Sequence, residues 1–219
     1  MTKNKNMHIK GLFQKTLFTL TLVLLTTLPV SAQGTAEVWL RKVTEKLQNK
    51  GNEISFRIHE EGVHINGKLL MEGEKFVYDT EEMKIWYDGT TQWTLQMGNG
   101  YNELYINTPT LEEQQAINPY LLLSSYKNNF TATDNGEKNL NGKLVHMVKL
   151  QANDEDSELM GINVYITSDD HLAQLELIAS NGHPYKIEVR SMRNGLTFPK
   201  ETFTYPAKDY PTDEVIDLR

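Results

Sequence analysis

Residues 63–106 read VHINGKLLMEGEKFVYDTEEMKIWYDGTTQWTLQMGNGYNELYI, and this stretch decides the fold. Apolar side chains recur at every second position in it, as in Phe76 and Tyr78, Ile85 and Tyr87, Trp93 and Leu95, Leu104 and Ile106. Successive side chains of a strand point to opposite faces, so this alternation describes half-buried strands. The runs are broken by Glu72-Gly73, Asp88-Gly89 and Gly98-Asn99-Gly100, which are tight-turn signals. Strands are expected at about Val63–Met71, Lys75–Asp79, Lys84–Tyr87, Gln92–Met97 and Asn102–Ile106. Short strands joined by tight turns make an antiparallel meander.

Upstream, Ile54, Phe56 and Ile58 extend the same period to Glu61-Gly62. Before them the period changes. Ala36, Trp39, Leu40, Val43 and Leu47 recur at helical spacing, which predicts an amphipathic helix over Thr35–Lys50 with Thr35 as N-cap and Gly51 as its stop. Downstream, residues 108–126 lose the alternation. Thr110-Leu-Glu-Glu predicts one short helix there, and Asn118-Pro119-Tyr-Leu-Leu-Leu predicts another, with Asn118 as N-cap and Pro119 at the first helical position. Strands then resume at Asn129–Thr133, Leu144–Leu150, Gly161–Thr167, Leu172–Ala179, Tyr185–Arg190, Glu201–Tyr205 and Glu214–Leu218, with Asn181-Gly182 as a hairpin turn. The chain is thus mainly β, with about a dozen strands and helices at two places. So large a sheet must curl or close to hide its edges, and the two helical segments are natural lids for its concave face.

The first 32 residues read as a secretory signal. Lys3, Lys5 and Lys10 precede the apolar core Leu17–Leu25, and Pro29-Val30-Ser31-Ala32 supplies the small residues of a cleavage site. The apolar run is too short for a membrane span. Cleavage after Ala32 leaves residues 33–219 as one domain, and the chain has no cysteine for a lipid anchor or a disulfide. The four lysines of the leader, taken off the formal charge of −7, leave −11. An acidic surface keeps a protein soluble and repels nucleic acid and anionic headgroups. These features predict a soluble monomer outside the cytoplasm.

Motifs for chemistry are missing from the sequence. His59, His64, His146, His171 and His183 show no metal-ligand spacing, and the turns Asp154-Glu155-Asp156 and Asp169-Asp170 do not follow a calcium-loop pattern. Nucleophile elbows, phosphate loops and dinucleotide fingerprints are absent too, so neither catalytic residues nor a metal or cofactor are expected. Asn129-Phe130-Thr131 fits a glycosylation sequon, a short match that chance produces often. The dense resource is apolar. Phe56, Ile58, Phe76, Tyr78, Trp93, Leu95, Leu104 and Ile106 each hold an apolar strand phase, and they read either as a packed core or as the lining of a lipid-sized pocket. Trp39, Leu121, Leu122 and Leu123 are the candidate lid contacts. Three adjacent leucines cannot all face inward from one helix, so at least one meets ligand, partner or solvent.

The order of these elements resembles the periplasmic outer-membrane lipoprotein carriers, the LolA-like family. The carrying pieces are the first helix, Ile65-Asn-Gly-Lys-Leu, Gly73-Glu-Lys-Phe-Val-Tyr, Ile85-Trp-Tyr-Asp-Gly-Thr-Thr-Gln-Trp-Thr-Leu and the Pro119 helix. Leu175-Glu-Leu-Ile-Ala-Ser-Asn-Gly-His, Arg193-Asn-Gly-Leu, Phe198-Pro and Phe203-Thr-Tyr-Pro follow in order. The resemblance implies an unclosed antiparallel barrel of 11–12 strands with a helical lid. It also implies a periplasmic chaperone of protein transport that takes acylated lipoproteins from an inner-membrane ABC transporter to an outer-membrane acceptor, in outer-membrane biogenesis. One departure stands out. The family often has Arg-Pro before the Gly-Lys-Phe element, and that arginine latches the lid; here the pair is Glu72-Gly73. A carboxylate cannot donate to backbone carbonyls, so lid closure is expected to depend on apolar contacts. The same fold also allows a carrier or sensor of another lipid or glycolipid, or an envelope-stress regulator; such regulators carry a further C-terminal domain.

Overall fold

The computed structural model describes residues 32–46, 50–60, 62–98, 100–182 and 184–219. The expected signal segment, Leu47 and His183 lie outside the described residues, with Ala32 as the exception. The chain forms one sheet of twelve strands in the order β12-β6-β5-β4-β3-β2-β1-β11-β10-β9-β8-β7. A first meander comprises β1 (Gly51–Glu60), β2 (Val63–Glu72), β3 (Lys75–Thr80), β4 (Met83–Tyr87), β5 (Gln92–Gly98) and β6 (Tyr101–Asn107). A second comprises β7 (Phe130–Leu140), β8 (Lys143–Ala152), β9 (Leu159–Ile166), β10 (Leu172–Ala179) and β11 (Pro184–Leu196). Each strand pairs antiparallel with the next, as its tight turn dictates; the β2–β3 turn, for example, needs Gly73 at φ +62.

Antiparallel pairing of β1 with β11, from Gly51 opposite Leu196 to His59 opposite Lys186, joins the meanders into one sheet. A register shift between Ser55 and Phe56 bends this pair. The last strand, β12 (Glu214–Asp217), returns to lie parallel to β6. The sheet stays unclosed, with β7 and β12 at its two edges. Between the meanders run α2 (Leu111–Ile117) and α3 (Pro119–Ser124), and the amphipathic α1 (Ala32–Glu45) packs against β7.

Several expectations change. Strand β7 runs on to Leu140, past the expected Thr133, and β11 runs on to Leu196, past the expected Arg190. Helix α1 starts before Thr35, which lies within it and does not cap it, and it stops at Glu45 short of Lys50. The strand expected at Glu201–Tyr205 is a 3₁₀ turn over Lys200–Phe203. Pro199 and Pro206 bracket that segment, and a residue without an N–H cannot feed a strand ladder on either side.

The two faces of the sheet carry separate cores. On the inner face, Ala36, Leu40 and Val43 of α1 and Tyr120, Leu122 and Leu123 of α3 bury against Ile54, Phe56, Leu69 and Phe76 and against Val148, Ile162 and Leu175 of the second meander. On the outer face, Val77, Trp86, Leu95 and Leu104 pack around Phe203, joined by Trp93, Ile106, Phe198, Tyr205 and Tyr210. Trp86 meets Tyr205 and Tyr210 edge-on, each at 5.3 Å between ring centroids, an arrangement favoured by the ring quadrupoles. Phe203 is 1% exposed at the centre of this second core. Phe203→Ala is therefore expected to cost about 3–5 kcal/mol in urea unfolding. A loss below about 1 kcal/mol would show that the C-terminal segment does not depend on that ring.

Candidate functional site

An apolar hollow lies between the inner face and the α2–α3 segment. Its floor begins at β1, whose inner phase presents Ile54, Phe56 and Ile58. Strand pairing then sets the neighbours: Ile58 stands opposite Ile187, and Phe56 opposite Val189, so β11 completes the floor together with Tyr185. On the other side Leu69 of β2, Tyr78 of β3 and Met83 of β4 form the wall. Gly67, opposite Phe56, is required here: a Cβ at that position would stand 2.2 Å from the Phe56 ring. The ring lies in the space left by the missing side chain and stacks on Tyr78 with centroids 5.4 Å apart. The hollow encloses about 130 Å³ and is open at its mouth.

The roof is built by capping. Thr110 and Glu113 form a reciprocal capping box that starts α2, with the Thr110 N–H donating to Glu113 Oε2 at 2.7 Å. Asn118 ends α2 and starts α3; its Oδ1 accepts from the N–H groups of Tyr120 at 3.1 Å and Leu121 at 3.3 Å. It is one of few buried polar residues, and these bonds satisfy its acceptor. Ala116, Ile117, Pro119 and Tyr120 then close over the hollow. Tyr120 is fully buried, and loss of solvation pushes its phenol well up from the usual range. Its O–H has the thioether of Met192, at 4.0 Å, as acceptor, a weak one. Gln114 Nε2 donates to the Tyr87 hydroxyl at 3.3 Å. Among the described residues no ion pair links residues 108–125 to the sheet. Apolar contact, with the Gln114–Tyr87 hydrogen bond, therefore holds the roof down.

The hollow continues outward. Ala116, Pro119, Tyr185 and Ile187 also line a wider groove of about 770 Å³, open to solvent, which runs between the roof and the β8–β9 loop. Leu122, Phe130, Leu159 and Leu177 give it apolar walls, while Glu112, Asp154 and Glu158 stand at its polar rim.

Of the residues expected to line a pocket, Phe56, Ile58 and Tyr78 do face the hollow. Phe76 is fully buried in the inner core against Tyr87 and does not reach it. Trp93, Leu95, Leu104 and Ile106 lie on the outer face in the second core. On β5 and β6 the inner phase is polar instead, with Gln92, Thr94 and Gln96 paired with Asn107, Tyr105 and Glu103. Of the lid residues, Leu122 lines the groove, Leu123 turns to α1 beside Leu40, and Leu121 is half-buried. Trp39 is not part of the roof. It stacks on His146 of β8 with centroids 4.2 Å apart and lies under the Lys42 ammonium at 4.5 Å. Glu72 follows Leu70 in strand phase, and Leu70 packs on the outer core, so position 72 turns away from the roof whichever side chain it carries.

The residues missed in the sequence include Met83 of β4, Leu172 of β10, Tyr185, Ile187 and Val189 of β11, and Ile117 and Tyr120 of the roof. The alternation of β11 was visible, but its pairing with β1 spans more than a hundred residues and leaves no local signal.

Asn118 caps one roof helix and terminates the other, so Asn118→Ala is expected to cost about 1–2 kcal/mol. Amide exchange at Tyr120 and Leu121 is expected to accelerate more than exchange in β1, because the loss is local to the roof. Equal acceleration in both would show that roof and sheet open as one unit.

Residues 27–172 match the family model described as outer membrane lipoprotein carrier protein LolA. None of the curated proteins matches the chain. Among solved structures, an uncharacterized conserved protein from Thermus thermophilus shares the fold, with a TM-score of 0.58 at 11% identity over 84% of this chain and 99% of that one. Two others overlay less closely. A LolA superfamily protein from Nitrosomonas europaea gives a TM-score of 0.42 at 10% identity over 78% of this chain and 97% of that one. A chain of the Pseudomonas aeruginosa MucA/MucB complex gives 0.45 at 12% identity over 80% of this chain, which spans only 62% of that one. With the family model matched over more than half its length, the chain belongs to the LolA family of outer membrane lipoprotein carriers.

Proposed function

We propose that this protein is a periplasmic chaperone that carries acylated lipoproteins, a binding role without catalysis or cofactor. In this reading residues 1–32 are its export signal and residues 33–219 its carrier domain. The observation that carries the reading is the apolar hollow that opens into the groove, under a roof held mainly by apolar contact. An anchor of three chains with roughly 15 methylenes each, at about 0.8 kcal/mol per methylene, costs about 36 kcal/mol to expose to water. Non-covalent affinities saturate near about −18 to −21 kcal/mol. A soluble protein cannot strip such an anchor from a bilayer unaided. It must receive the anchor from an energised donor, which fits an inner-membrane ABC transporter, shield it in transit, and release it to an outer-membrane acceptor. A roof held by non-directional contacts suits that cycle, since it can lift without breaking ion pairs.

The test compares two half-buried isoleucines on opposite faces, Ile58 in the hollow and Ile106 in the outer core. Retention of a fluorescent triacylated cysteine peptide by the purified protein is measured before and after adding acceptor vesicles. Ile58→Gln is expected to weaken retention about tenfold, equivalent to about 1.4 kcal/mol, and Ile106→Gln to leave it as in the wild type. Equal retention by both variants would remove the hollow as the binding site.

A further inference from the structure

Resting on the carrier reading, we infer that the groove selects its cargo by charge. It accepts the first residues of a lipoprotein, just after the acylated position, when they are neutral or basic, and it turns away lipids with anionic phosphate headgroups.

The geometry sets the direction of the cargo. The inner hollow is walled by apolar side chains, so acyl chains lie there, while the polar end of the molecule remains in the solvent-open groove. That polar end then sits beside Glu112, in the first turn of α2, and beside Asp154 and Glu158, in the β8–β9 loop. All three side chains are exposed. Among the described residues no lysine or arginine lines the hollow or the groove, and none of the three acids takes part in an ion pair. Asp154 Oδ1 accepts from the Asp156 N–H at 3.0 Å, which leaves its charge uncompensated. Lys127, next to the groove residue Asn128, is held by Glu37 of α1 at 3.1 Å.

A phosphate brought to this rim meets three carboxylates and no cation, a like-charge juxtaposition that disfavours the wrong partner. A peptide does better on two counts. Its own basic side chains complement the acids, and Asn128, Asn129 and Ser157 on the same rim offer partners for its amides. Each exposed ion pair is weak, but three acting together suffice for about a tenfold preference at low salt.

The test uses four probes that each carry two acyl chains of one length: N-acetylated, S-diacylglyceryl cysteine followed by Ser and four Lys, by Ser and four Gly, or by Ser and four Glu, and phosphatidylglycerol. Binding is read by displacement of a fluorescent fatty acid at about 0.01 M and about 1 M salt. At low salt the lysine and glycine peptides are expected to bind about tenfold more tightly than the glutamate peptide and phosphatidylglycerol, and high salt should close the gap. The triple variant Glu112→Gln, Asp154→Asn, Glu158→Gln is expected to bind all four alike. Equal affinities in the wild type, or a gap that persists in the triple variant, would overturn the charge selection and leave the carrier reading standing. Failure of every probe to bind would overturn both.

Discussion

The pairing of β1 with β11 is the constraint on which the rest of the molecule depends. Each meander alone buries one face of a short sheet. Their junction places Ile58 beside Ile187 and Phe56 beside Val189, and so makes one continuous apolar floor from residues far apart in the chain. Strand β1 is tightly fitted on both of its sides. Gly51 approaches the Phe198 ring so closely that a Cβ would stand 2.6 Å from it, and Gly67 leaves room for the Phe56 ring. Both glycines are present because a neighbour occupies the space of a side chain.

From that floor the two faces divide their work. The outer face is sealed by the C-terminal segment, where Phe203 is fully buried and aromatic rings meet edge-on around Trp86. The inner face is covered only in part. Helix α1 is fastened by Trp39 on His146, by Lys42 to Asp170 at 3.1 Å and by Glu37 to Lys127, while the short helices of the roof rest on apolar surface. One side of the sheet is thus sealed, while part of the other is covered by short helices alone. This asymmetry suits a protein that must hold an apolar guest and later release it, since hydrophobic contact is strong in sum but imposes no fixed geometry.

Much of the fold was legible because local chemistry dictates it. The alternation of Phe76, Tyr78, Ile85 and Tyr87 marked strands, the Gly-containing turns marked the meander, and Thr110, Asn118 and Pro119 marked the roof helices through their capping chemistry. The segment around Phe203 misled because its alternation is real but serves a 3₁₀ turn between prolines. The site was legible only in its first half. Phe56, Ile58 and Tyr78 were found from their strand phase, whereas Trp93, Leu95, Leu104 and Ile106, chosen by the same rule, belong to the opposite face.

The sequence by itself determined the strands, their turns, the helical interruption and the two-sidedness of every strand. Only the tertiary structure decided which side is which. A period of two distinguishes the faces of a strand without saying which one is covered by what, because the pattern is the same read from either side. On β5 and β6 the apolar phase faces outward, since the C-terminal segment returns there to bury it. On β1 and β11 the apolar phase faces inward, since the roof and α1 lie above it. Those coverings come from segments distant in the chain, so the hollow exists only once the chain has closed on itself.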